Sequence, residues 1–245
     1  MNDIERLSQW LQESDTIVFF GGAGVSTESN IPDFRSADGL YHAKKKYGYP
    51  PEVMLSHSFF ETHPADFFTY YLQELVHKDA QPNPAHFALA KLEAMGKLRA
   101  IVTQNIDGLH QLAGSHQVLE LHGSVQRNYC MNCGLHYSVD FMLEQGTPIP
   151  HCLDCGGIVR PDVVLYEEAL DPAVLKAAQK AIAGADLLLV GGTSLVVYPA
   201  AGLLQFFQGR RLVLINKSAT DYDRKADLVI RAPIGETLRQ AINFI

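Results

Sequence analysis

The chain has 245 residues, 47% of them apolar and 19% charged, with a formal net charge of −7. That balance excludes intrinsic disorder, because there is ample apolar surface to bury. It also argues against nucleic acid as the main partner, since phosphate binding leans on clustered Lys and Arg. The length fits one large α/β domain or two small ones.

Taken in chain order, Ile4, Leu7, Trp10 and Leu11 share one helical face, and acids come early. The start therefore reads as an amphipathic helix rather than a secretory signal. Thr16 to Phe20 ("TIVFF") is a short apolar, β-rich run ending in Gly21-Gly22, as expected of a buried parallel strand. Residues from about Leu40 to Pro82 are rich in Tyr, His, Phe and Pro and predict a helical insertion. Pro84 to Leu98 has helix periodicity, with Pro at its start and Gly96 near its end. "RAIVTQ" and "HQVLELHG" (His116 to Gly123) are the next strands. "ADLLLVGG" and "RRLVLINK" are two more, separated by the helix-like "YPAAGLLQFFQ". Strands alternating with helices predict an α/β fold: a Rossmann-like parallel sheet. Its expected parts are 1–39, 83–123 and 158–245, with the helical insertion over 40–82 and a small zinc-ribbon module over 124–157. Leu187 to Leu204 lacks charge over a membrane-like length, but Gly191-Gly192-Thr193-Ser194 and Pro199 interrupt it. Strand, polar loop and helix are expected there, not a span. The expectation is a soluble cytoplasmic protein with no membrane partner.

Cys130-x-x-Cys133 and Cys152-x-x-Cys155, eighteen residues apart, have zinc-ribbon spacing. A disulfide pair is the alternative, disfavoured in a reducing cytosol. Four thiolates would close a structural tetrahedral site. His136 and His151 lie near enough to leave a mixed ligand set open.

Several strand ends carry polar groups. Gly21 to Ser36 ("GGAGVSTESNIPDFRS") places glycines after the first strand, where backbone can approach a pyrophosphate. The spacing departs from G-x-G-x-x-G, so an ordinary tight turn competes with a dinucleotide loop. Phe34 and Arg35 then suit a flap over a bound nucleotide. Gln104, Asn105 and Asp107 follow the second strand, His122 the third, Thr193 and Ser194 the fourth, and Asn216 the fifth. Each alone suits a cap or turn. Together they predict a cleft at the carboxyl edge of the sheet.

"GAGVSTESNIPDFRS", "TQNIDGLH", "ELHGS", the paired CxxC motifs, "GTSLVVYPA" and "VLIN" occur in the order found in sirtuins, the NAD-dependent protein-lysine deacylases. The chain resembles the compact bacterial members over nearly its whole length. The resemblance implies an NAD-dependent protein deacetylase that binds NAD as co-substrate and one structural zinc ion. It implies that Ala23, Thr27, Phe34 and Arg35 line the NAD site. Gln104, Asn105, Ile106 and Asp107 would face nicotinamide and its ribose, with Asn105 and His122 catalytic and His122 the general base. Thr193, Ser194 and Asn216 would hold the adenosine half, with the Asp227 backbone beside the adenine. Cys130, Cys133, Cys152 and Cys155 would bind zinc. "VVLY", including Val164, Leu165 and Tyr166, would pair its backbone with an acetyl-lysine peptide as an added strand. The implied products are free lysine, nicotinamide and O-acetyl-ADP-ribose, made by a monomer. The family commonly has Phe-Gly-Glu where this chain has Tyr166-Glu167-Glu168. His110, three residues after Asp107, is the runner-up base. A mono-ADP-ribosyltransferase and an NAD sensor without turnover are the rival readings.

Overall fold

The computed structural model describes residues 1–33 and 44–243. In chain order its strands are β1 (Ile17–Gly21), β2 (Leu98–Thr103), β3 (Val118–Glu120), β4 (Gly123–Cys130), β5 (His136–Ser138), β6 (Val159–Val163), β7 (Leu187–Gly191), β8 (Arg211–Ile215) and β9 (Leu228–Ile230). The helices are α1 (Asp3–Glu13), α2 (Pro51–Met54), α3 (His57–Thr62), α4 (Pro64–Glu74), α5 (Pro84–Ala94), α6 (Leu109–Leu112), α7 (Val139–Glu144), α8 (Pro172–Ala183) and α9 (Ile234–Asn243).

Six strands form one parallel sheet in the order β3-β2-β1-β7-β8-β9. Within that sheet the order runs 3-2-1-4-5-6, the doubly wound arrangement whose switch point lies between β1 and β7. The central strands are buried on both faces, and their side chains alternate between two cores. Ile17, Phe19, Leu187 and Leu189 meet Leu7, Leu89, Leu92 and Leu238 of α1, α5 and α9. Val18, Phe20, Leu188 and Val190 meet Ala178 and Ile182 of α8 and the 200–206 segment on the other face. A one-residue register slip would exchange the two sets.

Helix ends are set by side chains. Asn2 and Glu5 form a reciprocal capping box on α1. Asn83 caps α5 through Ala85 N–H and also donates to Val25 O at 2.7 Å and Ser29 Oγ at 2.9 Å. The start of α5 is thereby fastened to the glycine loop after β1.

The structure departs from sequence expectation in four places. The "YPAAGLLQFFQ" segment is a seven-residue 3-10 helix, Ala200–Phe206. Pro199 is its N-cap, and Gly202, a poor α-helix former, lies in its interior. The third strand stops at Glu120, so His122 lies in a turn. Gly123 then has φ 76°, and a Cβ there would run into the Asp162 carbonyl. β6 pairs antiparallel with β4, in the order β5-β4-β6. The small sheet therefore runs to Val163, past the Gly157 boundary drawn from the cysteines. Finally, the helical insertion and the cysteine module are not separate. Phe59, Phe60, Phe67, Phe68 and Tyr71 share one core with Val125, Cys130, Met142, Cys152 and Val159.

Candidate active site and metal centre

The carboxyl ends of β1, β2 and β7 converge. Gly24 N–H donates to Gly192 O at 2.8 Å, and a Cβ on Gly24 would come within 2.7 Å of Gly192 Cα. Only glycine permits these two loops to touch. Gln104 N–H continues β2 by donating to Gly21 O at 3.0 Å, while its side chain donates to Thr193 Oγ1 at 3.1 Å. Thr193 and Asn216 then exchange two hydrogen bonds: Thr193 N–H to Asn216 Oδ1 at 3.0 Å and Asn216 Nδ2 to Thr193 O at 2.8 Å. Gln104, Thr193 and Asn216 thus form one continuous chain across the switch point. Thr27 Oγ1 donates to Gly24 O at 3.0 Å and stiffens the loop.

Asn105 and Asp107 are partly satisfied within the protein. Ser26 Oγ donates its single proton to Asp107 Oδ2 at 2.7 Å and accepts from Asn105 Nδ2 at 3.0 Å. Leu109 N–H donates to Asp107 Oδ1 at 2.9 Å, which starts α6. Burial pushes the Asp107 carboxyl above its ordinary range, while the Leu109 amide and the Ser26 hydroxyl pull it back. Ser26 was not singled out from sequence, although it sits between Gly24 and Thr27. Its hydroxyl is the hub that sets the spacing of the two groups that were.

His122 Nδ1 lies 2.9 Å from Gln104 O. A carbonyl only accepts, so Nδ1 carries the proton in that bond and Nε2 is the acceptor nitrogen of the neutral ring. His110, the alternative base, is 1% exposed and packs against Phe19 and His86. Burial holds its imidazole down at about 3, helped by charge on His86. It lies behind the site and does not line the cavity.

A cavity of about 270 Å³ opens here, lined by Ala23, Ser26, Gln104, Asn105, Ile106, Asp107 and His122 on the sheet side. Ile31, Pro32, Leu55, Leu75, Val163, Val164, Leu165 and Tyr166 supply its apolar wall, and Val197 and Tyr198 its opposite lip. Thr193 and Asn216 extend the polar chain beyond it, and Ser194 is exposed. Phe34 and Arg35 fall outside the described residues. Asp227 is a correction. Its N–H and carboxylate bond the backbone of Leu212, each at 2.9 Å or less. That is the amino end of β8, across the sheet from the cleft.

The stretch expected to meet peptide makes contacts within the chain. Leu165 N–H is held by Glu168 Oε2 and Leu165 O by Glu168 N–H, while Tyr166 pairs with Leu55 O and His57 N–H. Val164 N–H donates to His122 O. These backbone groups are engaged within the chain, and Val164, Leu165 and Tyr166 line the cavity. Glu167, at the turn, adopts φ 76° where the family commonly has glycine. Its carboxylate caps α3 by accepting from Ser58 N and Ser58 Oγ at 2.9 and 3.0 Å. Arg160, buried, forks onto both oxygens of Glu168 at 2.8 and 3.1 Å, and His57 Nδ1 adds a contact at 2.9 Å. Sequence reading missed this network, which fixes the loop.

The four cysteines are reduced and gathered, with all sulfurs within 4.8 Å of one another. Cys130 and Cys155 are 3.4 Å apart, and Cys133 and Cys152 3.6 Å. A tetrahedron with Zn–S bonds of about 2.3 Å has edges of about 3.8 Å, so the donor set fits one zinc ion. His136 and His151 are not in the cluster. Four thiolates leave no open position for water or substrate.

The Sir2 family model matches residues 22–199. The chain is 61% identical over 242 residues to an NAD-dependent protein deacetylase of Clostridium acetobutylicum, covering 99% of each chain. It is 59% identical to that of Clostridium perfringens, covering 98% of each. Among solved structures it is similar to one from work on sirtuin substrate affinity, with a TM-score of 0.90, 38% identity, and coverage of 100% and 99%. A Sir2 structure with a deacetylated p53 peptide and 3′-O-acetyl ADP ribose has a TM-score of 0.90 at 37% identity, covering 99% and 98%.

Proposed function

The chain belongs to the Sir2 family, and from that premise we propose that it is an NAD-dependent protein-lysine deacetylase, converting acetyl-lysine protein and NAD to free lysine, nicotinamide and O-acetyl-ADP-ribose. The observation that carries this reading is the pairing of His122 with the Asp107–Ser26–Asn105 cluster on one cavity floor. The cluster presents amide and carboxylate groups suited to a carboxamide and ribose hydroxyls. Its hydroxyl hub holds both in place before substrate arrives. The Nδ1–H bond to Gln104 O fixes the His122 ring and its tautomer, and Nε2 would take a proton from a ribose hydroxyl. An imidazole suits that task because its ordinary pKa lies near working pH.

NAD supplies the electrophilic anomeric carbon when bound. The chain's residues position it, exclude water with the apolar wall, and move the proton. The Gln104–Thr193–Asn216 chain extends the site toward the adenosine half. Acetyl-lysine enters between the Leu165–Tyr166 wall and the Val197–Tyr198 lip. The zinc ion has no place in the chemistry; Cys130, Cys133, Cys152 and Cys155 would hold it as a structural clamp. The net charge of −7 supports a protein partner over nucleic acid. No helix among the described residues is long and apolar enough to cross a membrane.

The test is nicotinamide release from NAD with an acetyl-lysine peptide, comparing wild type with His122→Ala. Release dependent on peptide, with label from NAD in a small ester, is expected. The variant should fold, bind NAD and lose deacetylation by about 10²-fold or more. Near-wild-type turnover in the variant would remove His122 from the mechanism. Label transferred to protein would instead mark an ADP-ribosyltransferase.

A further inference from the structure

Tyr137 stands in β5 between the two cysteine pairs, its backbone paired with Asn128 of β4. Its ring stacks on Phe141 with centroids 4.1 Å apart. Its hydroxyl touches two groups of the second cysteine knuckle. Leu153 N–H approaches the phenol oxygen at 3.0 Å, and Cys152 Sγ lies 3.1 Å from it. The directions follow from chemistry. A backbone N–H can only donate, so the phenol oxygen accepts from Leu153. Its single proton is then directed at the Cys152 sulfur.

This contact differs from the others in the cluster. Cys130 Sγ accepts from the backbone N–H of Asn132 at 3.4 Å, a bond that any residue would supply. Cys152 accepts from a side chain belonging to the other half of the module, fifteen residues away. The phenol therefore joins the two knuckles by a route independent of the metal. Zinc with four thiolates carries a net charge of −2, and a donor aimed at one sulfur spreads that charge and fixes the sulfur's position. Partners behind the ligands commonly change metal affinity 10- to 100-fold when removed.

We propose that Tyr137 is a positioning residue for the metal centre: its O–H holds the Cys152 thiolate in place and sets how tightly zinc is retained. The ring contributes packing on Phe141; the hydroxyl contributes retention. The two roles are separable, because Tyr137→Phe keeps the ring and deletes only the O–H, while Phe141→Leu does the reverse.

The experiment uses the full chain. Zinc affinity is measured by competition with a chromophoric chelator at fixed pH, and the cobalt(II)-loaded proteins are compared by their sulfur-to-metal charge-transfer absorption. Tyr137→Phe should weaken zinc binding by about 10-fold or more and shift the charge-transfer band, because one thiolate loses its donor. Phe141→Leu should leave that band where it is in the wild type. Affinity within twofold of wild type in Tyr137→Phe would overturn the proposal. So would weaker binding with an unmoved band, since the phenol would then act through packing alone.

Discussion

His86 and His110 press together behind the active site, with ring centroids 4.8 Å apart. His110 has no hydrogen-bond partner on either ring nitrogen, and His86 has none on Nε2. Burial holds His86 at about 4 and His110 at about 3. Both are neutral in the folded protein at pH 5, whereas in the unfolded chain each titrates near 6.5. The unfolded state then binds more protons, so stability falls as pH drops through 6.5 and continues to fall until the folded values near 4 and 3 are reached. At pH 5 the unfolded chain gains about 1.5 pH units of proton binding per ring, or about 2 kcal/mol each and about 4 kcal/mol for the pair. Coupling between the rings barely alters this, because neither is protonated in the fold at that pH. The perturbation is His110→Met, which keeps volume and removes one titration. Urea unfolding at pH 7 and pH 5 should show the acid-induced loss reduced by about 2 kcal/mol relative to wild type, with the urea dependence unchanged. Thiolate protonation at the zinc site and the raised Asp107 carboxyl affect both proteins alike and cancel in the difference. Equal losses in the two proteins would refute the reasoning.

Ser26→Ala removes the donor to Asp107 and the acceptor for Asn105 together; NAD kcat/KM should fall by about 10-fold or more, consistent with losing a hydrogen bond to a charged group, while peptide KM holds. An unchanged NAD profile would show that the cluster is not the nicotinamide site. The acyl wall of Ile31, Leu55, Leu75, Ile106 and Val163 is apolar, and no Lys or Arg lines the cavity among the described residues. Burying an unpaired carboxylate is costly, so acetyl-lysine should exceed succinyl-lysine in kcat/KM on one peptide by about 100-fold, and parity would sink the assignment of that wall.

The parallel sheet was legible because its central strands are short, continuous apolar runs, with glycine closing β1 and β7. That Gln104, Asn105, Asp107 and His122 share one cavity was legible because polar groups at apolar strand ends need partners. Ser26 was not, since a serine in a glycine loop resembles any turn residue until Asp107 and Asn105 arrive from residues far along the chain. Asp227 misled for a related reason: proximity in sequence to a strand says nothing about which end of the sheet it meets. The backbone partners of Leu165 and Tyr166 could not be read from sequence, because engagement by Leu55, His57 and Glu168 is a tertiary fact. The family pattern of Phe-Gly-Glu also concealed how a glutamate could take a left-handed φ and compensate by capping α3.

The aromatic core shared by two distant stretches imposes an order on the birth of the molecule. Phe59, Phe60, Phe67, Phe68 and Tyr71 are covered by Val125, Met142 and Val159, which the ribosome makes later. At roughly 5–20 residues per second, the interval from Leu75 to Val163 occupies roughly 5–20 s. For that time the phenylalanines have one another, Met54 and Leu75 to pack on but lack the cover that the later stretch supplies. Slowing synthesis between the two stretches should therefore lower its soluble yield without altering a single residue.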